Sequence, residues 1–437
     1  MTAGSSRSGA AAVESTAPAP GPSPQRVAAV VAAAARDAYP RIVGALIRIT
    51  GDWDLAEDCA QEALASALQR WPVGGVPDNP AAWLMTAARN RAVDVLRRAS
   101  VERVKLRDLA VLERGEPAPV EGGELPDDRL RLVFTCCHPA LPLEARVALT
   151  LRTVCGVRTG DIARAFLVSE ATMTRRLTRA KTKIAQAGIP YRVPEGAALP
   201  ERLPGVLGVL YVLFTNGYNA DGSPAFADEA IRLARLLGAL LPRVATAGTT
   251  DLSEISGLLA LFLFQHSRRA ARRDADGRLL TLEQQDRSLW DHAAIAEGVA
   301  ILAALDARAS GGDGPYTLQA RIAACHATAA SASDTDWVRI ALCYDLLYRV
   351  QPTPVIALNR AVAHGYAHGP RAGLELLAAA RASGALEEYP HTLAAEADLT
   401  AREGDHARAA ELFRRAADLA HGDAERQALL ERAAEHE

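Results

Sequence analysis

With 437 residues the chain is too long for one ordinary core, so two to four domains are expected. Its 49 basic and 52 acidic residues give a net charge of -3, which carries no sign of nucleic acid at the level of the whole chain. Aromatics are only 5% and few segments alternate apolar with polar residues, which predicts an almost all-α protein. The longest strongly apolar runs, 203–214 and 257–264, fall short of the roughly 20 residues that span a bilayer, so no membrane span is expected.

Residues 1–24 are rich in Ala, Gly, Ser and Pro and lack the charged-then-apolar order of a signal peptide. They read as a disordered tail on a cytoplasmic protein.

The first folded block is expected over 25–107. Carboxylates open a helix at Asp52, where the dipole favours them. Ala56, Cys59, Ala60, Ala63, Leu64 and Leu68 form its apolar stripe, leaving Asp54, Glu57, Asp58, Gln61 and Glu62 for solvent. Such an acidic patch repels DNA and suits a basic protein surface. In the next helix Asn79 caps and Pro80 takes the first position, with Trp83, Ala87, Val93 and Leu96 facing inward. Its other face offers Arg89, Asn90, Arg91, Arg97 and Arg98, and the window 89–107 carries a local charge of +5. Asparagine among arginines, near an aromatic, fits capture of an unstacked base on a single strand.

Residues 108–126 hold Glu113, Glu116, Glu121 and Glu124 among prolines and glycines, and read as a flexible acidic linker. A second block follows over 127–187. Adjacent Cys136 and Cys137, beside His138, admit a metal or redox switch, but a buried helix terminus is the favoured reading because no CxxC pair is present. A helix starts at Leu141, with Val147, Leu149 and Leu151 apolar, and Gly156 closes it. Thr159 then caps a short helix with Ile162 and Ala163 inward, Leu167 and Val168 turn, and Ser169 caps a longer helix with Met173 and Leu177 inward. This is helix-turn-helix grammar. The outer face places Glu170, Ala171, Thr172, Thr174, Arg175 and Arg176 where side chains reach base edges, with Arg179, Lys181 and Lys183 nearer phosphates. The window 158–183 again carries +5, so two basic segments suggest two contacts with one polyanion.

Residues 190–310 continue as a helical extension, and 311–437 carry a period. Asp336-Trp337 with Ile340, Tyr344 and Leu347, and Gly404-Asp405-His406 with Ala409, Phe413 and Ala416, lie 69 residues apart, two units of the tetratricopeptide repeat of about 34. Three degenerate helical hairpins are expected, against an ordinary bundle as the alternative. Two polar clusters, 285–292 and His266 with Arg268, Arg269, Arg272 and Arg273, lack any nucleophile elbow, HExxH, phosphate loop or paired-carboxylate spacing. They read as a structural network between helices or a ligand site without chemistry, so no catalytic residue, metal or cofactor is expected, and the chain is read as no enzyme.

The order of an AEDCAQEAL helix, a WLMTAARNRAVDVLRR helix, a poor linker and a helix-turn-helix ending ATMTRRLTRAKTKI resembles the σ2 and σ4 domains of extracytoplasmic-function (ECF) sigma factors over about 25–187. The resemblance implies promoter-specific initiation with core RNA polymerase, contacting its β′ clamp and β flap, and promoter DNA. It places polymerase binding on Asp58, Gln61 and Glu62. It places minus-ten recognition on Arg89, Asn90, Asp94, Arg97 and Arg98, and minus-35 recognition on the σ4 helix-turn-helix, here Thr159, Ser169, Glu170, Thr172, Thr174, Arg175, Arg176, Arg179 and Lys183. The FTCCHPAL, LYVLFTNGY, QDRSLWD, GPYTLQARIAACHA and LNRAVAHG segments resemble the subgroup with a tetratricopeptide-like C-terminal extension, which implies that the extension modulates activity or docks a partner, intramolecular or separate. A one-component helix-turn-helix regulator with a helical sensor is the alternative.

Overall fold

The computed structural model describes residues 23–102, 128–218, 224–243, 252–274, 280–307 and 313–437, apart from 383, 385, 387, 388 and 421. The expected tail up to 22 and the acidic linker 108–126 lie outside the described residues. The architecture is all-α, and no β-strand occurs among the described residues. The chain divides into two compact units: one holds residues up to 123 with 153–156, the other 124–152 and 157–437.

The first unit is built on α1 (Pro24–Thr50), α2 (Trp53–Gly74) and α3 (Pro80–Glu102). Local chemistry sets their ends. Gly51 closes α1 at φ 68°, a conformation a side chain would strain, and its N–H donates to the Ile47 carbonyl. Asp52 then caps α2, accepting from the N–H groups of Asp54 and Leu55, each at 3.0 Å. Asn79 Oδ1 accepts from Ala82 N at 3.1 Å, with Pro80 first in α3 as expected. Ile42, Val43, Leu46, Ala56, Cys59, Ala60, Ala63, Trp71, Leu84 and Ala88 fill the core.

The packing of this unit departs from three sequence expectations. Glu57 is buried, and its Oε1 accepts a hydrogen bond from Thr153 of the same unit at 2.9 Å, which supplies the partner a buried carboxylate needs. Leu68 is 46% exposed, because the buried stripe of α2 runs on through Ala67 and Trp71. In α3 the deepest positions are Leu84, Ala88 and Ala92, whereas Trp83, Ala87, Val93 and Leu96 are only half-buried. Trp83 instead packs edge-on against Trp71, ring centroids 5.4 Å apart.

The second unit begins with α4 (Asp128–Cys136), α5 (Leu143–Leu149), a π-helical continuation (Thr150–Val154) whose last two residues belong to the first unit, α6 (Thr159–Ala165) and α7 (Glu170–Gln186). Cys136 and Cys137 are buried at the end of α4, as the helix-terminus reading requires, and burial pushes the Cys137 thiol up to about 11. The helix begun near Leu141 does not stay α-helical to Gly156, since it widens at Thr150.

The extension follows as α8 (Ala198–Tyr218), α9 (Pro224–Leu240), α10 (Ser253–Ser267), α11 (His292–Asp306) and α12 (Pro315–Thr328). By length and composition α8 could cross a bilayer, although its apolar run alone could not. Leu203, Val206, Leu207, Leu210, Leu213 and Phe214 bury one side of it within this unit, and Arg202 Nη2 donates to the Phe134 carbonyl at 2.7 Å. The expected polar network is helix-end chemistry. Arg272 donates to the Tyr218 carbonyl at the end of α8, and Arg287 Nη1 donates to the His326 and Ala329 carbonyls, each at 2.8 Å, at the end of α12. Cations at helix C-termini meet the negative end of the dipole. Helix α10 meets α12 at Gly257, where a Cβ would stand 2.3 Å from Thr317 Oγ1 and 2.8 Å from the Thr317 backbone.

The C-terminal part runs through α13 (Trp337–Val350), α14 (Pro354–His368), α15 (Pro370–Arg381), α16 (Pro390–Arg402), α17 (His406–Leu419) and α18 (Asp423–Ala434), each packed on its neighbour in sequence. Ile340 and Leu347 share a core with Leu318 and Ala363, and Ala397, Phe413 and Ala416 form another.

Candidate nucleic-acid and polymerase interfaces

In the first unit the acidic face of α2 and the basic face of α3 meet at one point. Asp58, Gln61 and Glu62 are exposed on α2, one turn apart at most. Asp54 is exposed beside them. The Glu62 carboxylate forms an ion pair with the Arg91 guanidinium of α3, Nη2 to Oε1 being 3.1 Å. Both side chains remain substantially solvated, at 52% and 37% exposed, so water screens the pair strongly. It still occupies an acidic group that the sequence left open. Neither helix by itself reveals this partnership, because it depends on how α2 and α3 cross. Behind it, burial and then the Glu62 charge push the Cys59 thiol up to about 11. Along α3, Asn90, Asp94, Arg97 and Arg98 are exposed and Arg89 is half-buried.

In the second unit the longer helix of the helix-turn-helix presents a second polar surface. Ser169 Oγ accepts from Thr172 N at 3.2 Å and lies 2.9 Å from Thr172 Oγ1, so Ser169 secures the start of α7 as expected. Met173, Leu177, Ala180 and Ile184 are buried at steps of four, three and four, which fixes the rotation of α7. The opposite side then exposes Glu170, Ala171, Thr172, Thr174, Arg175, Arg179 and Lys183, while Lys181 is half-buried. Leu167 makes the turn at φ 51°, the single non-glycine with positive φ among the described residues.

Two positions differ from expectation. Thr159 is the first residue of α6 and makes no cap; Arg158 holds the capping position without a side-chain bond. Arg176 is half-buried rather than open, 3.0 Å from the Glu144 carboxylate of α5 and 5.8 Å above the Phe166 ring. Among the described residues Arg175 bonds only along its own helix, Nε to the Ala171 carbonyl at 3.2 Å, which leaves its remaining donors for a ligand. The Glu170 carboxylate lies against Gly160 in the first turn of α6. A concavity of about 790 Å³ runs between α5 and α7, lined by Glu144, Thr172, Arg175, Arg176, Arg179 and Lys183 among others. Its charge suits a polyanion.

Against families of known proteins, residues 35–101 match Sigma-70 region 2 and residues 131–184 match Sigma-70, region 4. Residues 202–306 match a family of unknown function, DUF6596. The chain is 44% identical over 350 residues to Uncharacterized protein R00370 of Rhizobium meliloti, covering 78% of this chain and 80% of the relative. It is 32% identical over 165 residues to the Probable ECF RNA polymerase sigma factor SigI of Mycobacterium tuberculosis, covering 36% of this chain and 56% of that protein. With ECF RNA polymerase sigma factor SigL of the same species it shares 33% identity over 132 residues, 30% of this chain and 73% of the relative. No solved structure matches.

Proposed function

We propose, because the chain belongs to the ECF-like RNA polymerase sigma factors, that it binds core polymerase through α2 and directs it to promoters read by α3 and α7. The observation that carries this reading is the division of labour on one chain. An exposed acidic face on α2 is followed by two separate polar and basic faces, Asn90 to Arg98 on α3 and Thr172 to Lys183 on α7. Asp58, Gln61 and Glu62 suit the β′ clamp; Arg89, Asn90, Asp94, Arg97 and Arg98 suit the minus-ten element. The helix-turn-helix, from Thr159 to Lys183, suits the minus-35 element and the β flap. The chemistry of RNA synthesis belongs to polymerase, and such a protein acts in the cytoplasm. The test is run-off transcription with purified core polymerase and the full-length chain. Promoter-dependent transcripts support the reading; a helix-turn-helix regulator cannot replace sigma and gives none.

Within the recognition helix, the geometry grades the arginines. Arg175→Ala is expected to cost roughly 1 to 3 kcal/mol of binding to the upstream element and to relax preference at one base pair. Arg176→Ala should cost less, since Glu144 already holds that guanidinium. Lys183→Ala should weaken all sequences alike and lower the salt dependence. Fluorescence anisotropy with matched and single-mismatch duplexes at several salt concentrations reads all three; equal losses on every duplex would move specificity away from Arg175.

The extension is read as a set of tetratricopeptide-like hairpins that modulates initiation or docks a protein segment, because stacked helical pairs present concave surfaces. Its link to the block that carries the helix-turn-helix is covalent and packed: Tyr191 Oη donates to the Asp128 carbonyl of α4 at 3.2 Å, besides the Arg202 bond to α4. Its role is therefore tested within the intact chain.

A further inference from the structure

A cavity of about 690 Å³ opens in the extension between the first half of α8 and helices α12, α13 and α14. That volume matches a drug-sized ligand. Three tyrosines, one from each of α8, α12 and α13, converge on it: Tyr211, Tyr316 and Tyr344. The Tyr211 and Tyr316 rings are 5.8 Å apart and tilted by 39°. Burial pushes Tyr316 and Tyr344 up to about 12, with Tyr211 adding to both, and burial raises Tyr211 as well, so all three stay neutral phenols. Glu254 of α10 completes the wall. Its carboxylate is held in place by Tyr316 N at 2.8 Å, Thr317 N at 3.0 Å and Thr317 Oγ1 at 2.6 Å. Leu207 and Leu347 are among the apolar lining. Among the described residues no Lys, Arg or His lines the cavity.

From this arrangement we propose that the cavity binds an organic cation, an ammonium group carried on an apolar body. The faces of aromatic rings attract a cation lying within about 6 Å of their centroids, and most strongly where water is excluded. Glu254 supplies the matching charge, although the start of α12 already draws on part of it. An anion would meet the Glu254 carboxylate with no cation among the described lining residues to offset it, so the site discriminates by sign. The apolar wall takes the rest of the ligand. The assignment is independent of promoter reading.

The test uses the full-length protein and three probes of similar size: benzyltrimethylammonium, benzyl alcohol and phenylacetate, titrated by ligand-observed NMR. Benzyltrimethylammonium is expected to bind at least tenfold more tightly than phenylacetate and several-fold more tightly than the alcohol. Tyr211→Leu and Tyr344→Leu should each weaken it about fivefold or more, whereas Tyr211→Phe and Tyr344→Phe should leave it within about twofold, since the ring faces carry the attraction. Circular dichroism checks each fold. If a Leu variant unfolds, the Phe variants and Glu254→Gln decide: a loss in the former, or none in the latter, overturns the cation assignment. Equal binding of the anion, or no binding of the cation at millimolar concentration, overturns it as well.

Discussion

Asp58→Lys is expected to lower the affinity for core RNA polymerase about tenfold or more, roughly 1.4 kcal/mol, while leaving the thermal unfolding of the protein nearly unchanged. Asp58 is exposed in the second turn of α2, on the solvent side of a helix whose core contacts are Ala56, Cys59, Ala60 and Ala63. A reversed charge there removes one attraction to a basic partner and adds one repulsion, and an exposed position makes the folding cost small. Glu62→Lys is a less clean probe. It also breaks the pair with Arg91 and sets two cations side by side. A pull-down or fluorescence titration with core polymerase, with circular dichroism as the control, checks both. Unchanged affinity of Asp58→Lys with intact helicity would remove α2 from the polymerase interface.

Gly257→Val should destabilise the extension by about 3 kcal/mol or more. The added Cβ would collide with Thr317 Oγ1 and with the Thr317 backbone, and a backbone cannot swing aside as a long side chain can. Separating α10 from α12 would also pull Thr317 from Glu254, which holds the first N–H groups of α12. The gain in helix propensity on replacing Gly offsets only a fraction of this. Chemical denaturation followed by circular dichroism reads the effect; a midpoint within experimental scatter of the parent would show that the two helices can part cheaply. The same variant in run-off transcription tests whether a loosened extension alters initiation.

Much of the architecture was legible because its causes are local. Asn79 with Pro80, Asp52 and Ser169 start helices through bonds that span two or three residues, and Met173 and Leu177 declare their buried side by spacing alone. The all-α class and the helix-turn-helix follow from such signals. What escaped depends on distant partners. Glu57 reads as solvated until Thr153, 96 residues on, gives it a hydrogen bond. Arg91 gains importance only through Glu62, and Arg176 through Glu144. The rotation of α3, deeper at Leu84 and Ala88 than at Trp83 and Ala87, is set by α1 and α2 packed against it, and the periodic pattern of a mixed helix fixes such a rotation only to within about one residue.

The pairing of Arg176 with Glu144 also bears on how tolerant a promoter can be. A side chain that faces a mismatched base normally suffers twice, losing its contact and being left without a partner in a dry interface. Arg176 has a place to return to, 3.0 Å away. With both arginines reading bases as proposed, a mismatch opposite Arg176 would forfeit only the difference between a base contact and the ion pair with Glu144, while a mismatch opposite Arg175 would forfeit the whole of its base contact. Adjacent arginines on one helix turn would then impose unequal stringency, a degenerate letter beside a fixed one in the sequence logo of the sites this protein selects.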